Sequence, residues 1–204
     1  MAMIVEHSYT ESNTNKTGYA SLYEIANQPP MQEFIADNLC DPWVGTPFQG
    51  YKFLDNKQKG QFGEIFTSNL LLKLGHTVEK SPKSNDSFDR LVNGKKVEIK
   101  FSIAHTDNKK KIIKPNCFTM NHVSVNKDWD RLLFVGVNPV YTQSVMKFME
   151  KETFIKIVND QEKFKNFFAC QQGGNTGGND DYMSTEKKLY RLLTSEYMRD
   201  ITEW

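Results

Sequence analysis

Two acids and a lysine lie close together in the sequence between positions 89 and 100. Asp89 and Glu98 stand on either side of Asn93-Gly94, a dipeptide typical of two-residue hairpin turns. A hairpin there would bring both carboxylates towards one edge of a sheet. Two converging carboxylates repel each other, and a divalent cation that prefers oxygen ligands, such as Mg²⁺, relieves the repulsion. Lys100 would share a strand face with Glu98 and could orient a water molecule or stabilise developing negative charge.

A simpler interpretation of the same residues stays open, because charged side chains are common on strand faces and form ordinary ion pairs there. Asp89, however, lies between Phe88 and the apolar pair Leu91-Val92, and an unpartnered acid in such a place costs free energy. A third acid, Glu64, occupies the polar position of an otherwise apolar helical turn. It could equally be a surface residue of that helix.

The elements that must position these residues follow from the hydrophobic periodicity. Residues 57–74 have the spacing of an amphipathic helix, and Gly75 supplies its end. Strands are expected over 88–92 and 95–102 around the turn, and the continuous apolar run 131–137 predicts a strand buried on both faces. This order predicts an α/β (α+β) fold with a mixed central sheet flanked by helices.

The length favours a single domain over residues 1–204. Its catalytic core would be about 57–140, preceded by a helical arm over 1–56 in which Pro29-Pro30 splits the helical pattern. The region 141–204 would supply loops and a closing helix. Shorter elements are expected at 77–80, 144–149, 153–158 and 184–193.

The charge balance excludes one class of nucleic-acid binder. The chain has 26 Lys and Arg against 25 Asp and Glu, a net charge of +1, whereas purely electrostatic binders are strongly basic. Charge is nevertheless uneven, because several lysines fall within 107–116. This run is either a solvated loop or a grip for phosphate groups. In a protein that binds DNA, the phosphate contacts would come from Lys109, Lys110, Lys111 and Lys114.

The remaining composition indicates a cytoplasmic protein. Its three cysteines, at positions 40, 117 and 170, are odd in number and far apart, as in a reducing compartment. A mean hydropathy of −0.60 and the lack of a long apolar run predict no membrane segment, and the N-terminus shows no signal-peptide pattern. Cys117 and His122 are too few ligands for a zinc site. His105 is expected to be a surface residue or a DNA contact.

The acids and the lysine together resemble the PD-(D/E)xK nuclease superfamily. A helix acid is followed by Asp89 before the hairpin, by Glu98-Ile99-Lys100 in its second strand, and then by the apolar run 131–137. Phe88 stands where the motif has proline, a departure that is frequent in the superfamily. The resemblance implies a Mg²⁺ site in which the backbone carbonyl of Ile99 is a further ligand. It implies that the catalytic residues are Asp89 and Glu98 as metal ligands, Lys100 as the catalytic lysine, and Glu64 as an acid near the metal.

Two further stretches are similar to those of small restriction enzymes and nicking-enzyme subunits. Asp128–Val137 resembles their "DYDxLLFVGV" segment, and Gly173–Asp181 resembles a glycine-rich loop that follows it. The resemblance implies a sequence-specific type II restriction endonuclease that acts on double-stranded DNA as a homodimer or with a partner subunit, with Asn175 among its DNA contacts. A structure-specific DNA nuclease and a non-cleaving DNA-binding module on the same fold remain as alternatives.

Overall fold

The computed structural model describes residues 22–82, 87–107, 109–172 and 181–204. The chain divides into two compact units, one ending at Cys40 and the other running from Asp41 to Trp204. In the first unit, residues 22–26 form α1 and Pro29–Leu39 form α2. The break between them falls at the predicted Pro29-Pro30, since proline is well accommodated in the first turn of a helix but not in its interior.

The second unit is built on a mixed six-stranded sheet, which confirms the predicted fold class. Strands β3 and β7 pair in parallel, and the other neighbouring strands pair antiparallel. The predicted buried strand 131–137 is β7, and it lies inside the sheet between β3 and β8. The order across the sheet is β1 (Val78–Lys80), β2 (Arg90–Val92), β3 (Lys95–Ile103), β7 (Arg131–Val137), β8 (Val145–Glu150) and β11 (Arg199–Asp200).

The predicted hairpin is present, with Asn93 and Gly94 at its turn. Both residues have positive φ angles, 49° and 76°, as a type I′ turn requires. The first strand is shorter than predicted, because β2 begins at Arg90 and Asp89 lies just before it. The Asp89 carboxylate accepts the N–H of Ile99 at 2.7 Å.

The long predicted helix is α3 (Asn56–Lys73), which begins with a capping box formed by Asp55 and Gln58. It packs on β3 through Gly63, where the backbone of the helix meets the side chain of Phe101. A Cβ atom at position 63 would lie 2.5 Å from the Phe101 Cβ, so only glycine permits this approach. The close contact places the next residue, the predicted Glu64, beside the sheet.

The connection between β3 and β7 carries strands that the periodicity did not reveal. It forms a small hairpin of β4 (Thr106–Asp107) and β5 (Ile112–Ile113), followed by β6 (Thr119–Ser124). Strand β6 joins a second sheet with β9 (Cys170–Gln172) and β10 (Asp181–Thr185) in the order β6-β10-β9. These strands are short or irregular, and β10 is bulged against β6. Their alternation of apolar and polar residues is therefore too short to predict strands from the sequence.

Helices in the second half of the chain surround this framework. They are α4 (Lys151–Asn159), α5 (Gln161–Phe167) and α6 (Glu186–Leu193). The core between the elements is aromatic: Trp129, Phe134, Phe148 and Phe154 are buried almost completely. None of the helices in the described part of the chain has both the length and the apolar content of a membrane span.

Candidate active site

A cleft with a volume of about 690 Å³ lies beside α3, β3 and the β6 segment. The structure brings all the predicted catalytic and metal-binding residues to its lining, although they come from three separate elements. One acid directly precedes β2, the next three residues of the set lie on β3, which pairs in parallel with β7, and the last acid lies on α3. The residues concerned are Glu64, Asp89, Glu98, Ile99 and Lys100.

Glu98 is the most buried of the three acids, with only 1% of its side chain exposed. Its Oε1 atom pairs with Lys100 Nζ at 2.8 Å and with Lys127 Nζ at 3.2 Å. Its Oε2 atom is buried and has no hydrogen-bond partner among the described residues. An unsatisfied polar atom of this kind costs on the order of 1–3 kcal/mol, more when it is charged. A cation or a polar ligand in the cleft would remove that cost.

Asp89 lies next to Glu98 and is held by hydrogen bonds to β3, the strand that carries Glu98. Its Oδ2 atom accepts the Ile99 N–H, and its own N–H donates to the Val97 carbonyl at 2.9 Å. Burial first, and the neighbouring Glu98 charge second, raise the pKa of Asp89 to about 6, against the lowering effects of the Ile99 hydrogen bond and of Lys100. Burial and the neighbouring negative charge thus both favour the protonated form of Asp89.

Glu64 reaches the cleft but is directed towards Arg90. Arg90 Nη1 lies 3.0 Å from Glu64 Oε2 and also donates to the Asp89 carbonyl at 2.6 Å, while Arg90 Nε donates to Ser68 Oγ at 2.9 Å. Arg90 therefore ties α3 to the start of β2. Sequence reasoning missed this residue, although an arginine directly after the first acid of the motif was visible.

Lys127 is a second residue of the site that sequence reasoning missed. Burial lowers the pKa of Lys127, but the Glu98 carboxylate outweighs this effect and raises the pKa above its usual value. Its backbone is anchored, because Lys151 Nζ donates to the Lys127 carbonyl and lies over the ring of Trp129. Its position in the sequence, four residues before β7, could have indicated this role. In a parallel pair, the segment that precedes one strand lies near the start of the partner strand.

The lysines predicted to hold DNA lie outside the cleft lining. Lys109, Lys110 and Lys114 are exposed at the β4–β5 hairpin, and Lys114 pairs with Asp107 at 3.5 Å. Lys111 belongs to the same turn, with a φ of 55°. Asn175 lies outside the described residues. The cleft itself is lined by other lysines, which the spacing did not reveal: Lys52 and Lys59 in addition to Lys100 and Lys127.

The donor set of the cleft fits a cation held by two acids rather than three. In the described part of the chain, Glu64, Asp89 and Glu98 are not among the sets of three ligand atoms that all lie within 4.8 Å of one another. Glu64 is instead paired with Arg90. Asp89 and the orphaned oxygen of Glu98 are the carboxylate oxygens that could hold a cation.

Comparisons with known proteins found no sequence match and a distant structural similarity. No protein-family model matches the chain, and no curated protein matches its sequence. Among solved structures, the chain is similar to a bacterial homing endonuclease, I-Ssp6803I. The identity is 17%, the match covers 50% of this chain and 74% of that chain, and the TM-score is 0.36. A TM-score of this size does not establish a common fold, so the functional conclusion depends on the cleft itself.

Proposed function

We propose that this chain is a Mg²⁺-dependent deoxyribonuclease, a sequence-specific endonuclease of the type II restriction kind. The observation that carries the proposal is the buried Glu98, whose one oxygen faces two lysines while the other has no partner among the described residues. Asp89 beside it shares the excess negative charge. Acids buried at such expense on a rigid strand are typical of a site that binds a cation and a charged substrate.

Asp89 and Glu98 would hold the Mg²⁺ ion, with the Ile99 carbonyl as a further oxygen ligand. Glu64 would act through water, since Arg90 already occupies its carboxylate. Hard oxygen donors are the ligands that this ion prefers, and it keeps several waters besides. When bound, the ion supplies a more acidic water molecule and neutralises charge on a phosphodiester.

The residues of the chain itself would orient and stabilise the reaction. A water oxygen bonds to phosphorus, the bond from phosphorus to the 3′ oxygen breaks, and the leaving oxygen takes a proton. The products are a 5′ phosphate and a 3′ hydroxyl. Lys100, fixed by its 2.8 Å pair with Glu98, would position the water and stabilise negative charge on the phosphate oxygens. Lys127, which pairs with the same Glu98 oxygen as Lys100, would hold a second phosphate oxygen.

The DNA backbone would be gripped by lysines along and beside the cleft. Lys52 and Lys59 line it near α3, and the β4–β5 hairpin offers the basic run that contains Lys109 and Lys110. Contacts of this kind fix the position of the duplex but do not read its sequence. Base recognition would come from the loops of the second sheet. One site cuts one strand, so cleavage of both strands would need a homodimer or a partner subunit.

Digestion of a supercoiled plasmid with Mg²⁺ and with EDTA tests the proposal. Discrete fragments that appear only with Mg²⁺ support it. A smear, or cutting confined to branched DNA, favours a structure-specific nuclease, and an intact plasmid in all conditions favours a DNA-binding module. Asp89→Ala and Glu98→Ala should abolish cutting without unfolding the protein, whereas Glu79→Gln, at an exposed position on β1, should cut normally. Full activity in either alanine variant would end the assignment.

A further inference from the structure

Three side chains with metal-binding atoms meet at the base of the β4–β5 hairpin, and one of them, His105, also lines the cleft. His105 lies between β3 and β4, Cys117 lies between β5 and β6, and Glu186 is the first residue of α6. One ligand atom from each lies within 4.8 Å of the other two. The sequence gives no hint of this meeting, because Glu186 is distant in the chain and Cys117 with His122 offered too few ligands for a zinc site. In the structure His122 instead pairs with Asp181 at 3.2 Å.

The separation of the two softer atoms matches that of a metal site. His105 Nδ1 lies 3.7 Å from Cys117 Sγ, a hydrogen-bond distance for a contact that involves sulfur. A tetrahedral zinc ion binds sulfur at about 2.3 Å and imidazole nitrogen at about 2.0–2.1 Å, so its sulfur and nitrogen ligands lie about 3.6 Å apart. The two atoms therefore already stand at the distance that such an ion would impose.

The other ring nitrogen of His105 has the partner that a metal-binding histidine needs. His105 Nε2 lies 2.8 Å from Thr119 Oγ1. If Nε2 carries the proton and donates to this hydroxyl oxygen, Nδ1 is left with its lone pair directed at Cys117. Metal-binding histidines commonly donate their second N–H in this way, which fixes the tautomer and the orientation of the ring.

We infer that His105, Cys117 and Glu186 form a binding site for a zinc ion, with a ligand set distinct from the Asp89 and Glu98 carboxylates. One thiolate, one imidazole and one carboxylate form a ligand set that suits Zn²⁺ better than Mg²⁺. Three protein ligands leave the fourth position of the tetrahedron to water. The inference does not rest on the proposed nuclease function.

The local backbone holds Glu186 in place for this role. Its φ of 47° lies in the left-handed region, which costs a residue with a side chain about 1–2 kcal/mol. Its N–H donates to the Phe118 carbonyl at 2.8 Å, which fixes the strained residue next to Cys117. Without metal, burial lowers the pKa of His105 and raises the pKa of Cys117. Metal binding would therefore release the thiol proton.

A zinc ion here would fasten the basic hairpin to the second sheet. The His105 N–H donates to the Cys117 carbonyl at 2.7 Å, and the Lys114 N–H donates to the His105 carbonyl at 2.8 Å. These bonds close the hairpin on itself, and the Glu186 N–H on the Phe118 carbonyl ties the segment after it to the start of α6. The ion would add a second link, between side chains, and would hold the base of the hairpin that carries the lysines more firmly against α6.

Titration of the metal-free full-length chain with Co²⁺ tests the inference, because a thiolate bound to Co²⁺ gives an intense near-ultraviolet band that carboxylates do not. We expect one equivalent of Co²⁺ to produce this band and Zn²⁺ to abolish it. Cys117→Ser should lose the band. Cys170→Ser, at a half-buried cysteine elsewhere in the fold, should keep it, as should Asp89→Ala in the cleft.

The second variant is Glu186→Gln, at an exposed residue, in which the thiolate and the imidazole remain. We expect it to keep the band but to bind Co²⁺ at least about tenfold more weakly. Circular dichroism should show that each variant is folded. Absence of the band in the unaltered chain, or a band that survives in folded Cys117→Ser, would overturn the inference. Neither result would bear on plasmid cleavage.

Discussion

Replacing Asp89 with asparagine should stabilise the metal-free protein while abolishing cleavage. Burial and the charge of Glu98 raise the pKa of Asp89 from 3.8 to about 6, and each unit corresponds to about 1.4 kcal/mol. The ionised carboxylate is therefore unfavourable by roughly 3 kcal/mol at neutral pH. Asparagine keeps an oxygen for the Ile99 N–H but forms a weaker bond, so we expect a net gain of about 1–2 kcal/mol in unfolding free energy. The melting temperature should rise by about 2–8 °C.

The gain from Asp89→Asn should depend on pH in a defined direction. Below the unfolded value of 3.8 the carboxyl is protonated in both native and unfolded states, so the unaltered protein and the variant differ little. As the pH rises from there to about 6, the unfolded chain loses this proton before the native state does. The unaltered protein therefore loses stability relative to the variant, and the difference is complete above the native pKa.

Urea unfolding in EDTA at pH 4, 6 and 8 measures the difference in unfolding free energy between the unaltered protein and Asp89→Asn. The same series with Mg²⁺ tests whether Asp89 is needed to bind the ion. Mg²⁺ should stabilise the unaltered protein, by about 2.7 kcal/mol at a hundredfold excess over its Kd, and should leave Asp89→Asn unchanged. The exposed Glu79→Gln should behave like the unaltered protein throughout. A variant that is less stable at pH 8 in EDTA, or that responds to Mg²⁺ equally, would refute the reasoning.

Three other outcomes follow from the same geometry. Cleavage should fall as the pH drops below about 6, because Asp89 then takes up a proton, and more Mg²⁺ should move the midpoint of the pH–rate profile lower. Lys127→Met should reduce single-turnover cleavage by about 10²-fold with little loss of fold; an unchanged rate would remove Lys127 from the site. Gly63→Ala should lower the unfolding free energy by about 1–3 kcal/mol because of its contact with Phe101, whereas Gly60→Ala, with open space around it, should not; chemical denaturation distinguishes the two.

The parts of the fold that the sequence predicted are those with local signals. Asn93-Gly94 specifies a turn whose backbone angles few other residues adopt, and the register of Asp89 against Glu98 follows from that turn. The apolar run of β7 and the capped helix α3 are likewise encoded within a few neighbouring residues. Most of the candidate site could be predicted for this reason, since it belongs to one hairpin and one helix.

The missed residues are those that depend on contacts between distant segments. Lys127 reaches Glu98 only because β3 and β7 pair in parallel, and no local pattern specifies which strands become neighbours. The meeting of Cys117 with Glu186 depends on a second sheet of short, irregular strands. Arg90 was visible but ambiguous, because its value as a clamp depends on how closely Gly63 lets α3 approach the sheet.

The parallel pairing of β3 and β7 also has a consequence for when the site comes into existence. Glu98 pairs with Leu132 across these strands, and the whole β4–β6 segment must be synthesised and looped out before they can meet. Closing so long a loop is slow compared with forming the hairpin. In a nascent or partly folded chain the hairpin acids would therefore stay exposed to water, and the pairing of Glu98 with Lys127 would form last, together with completion of the sheet.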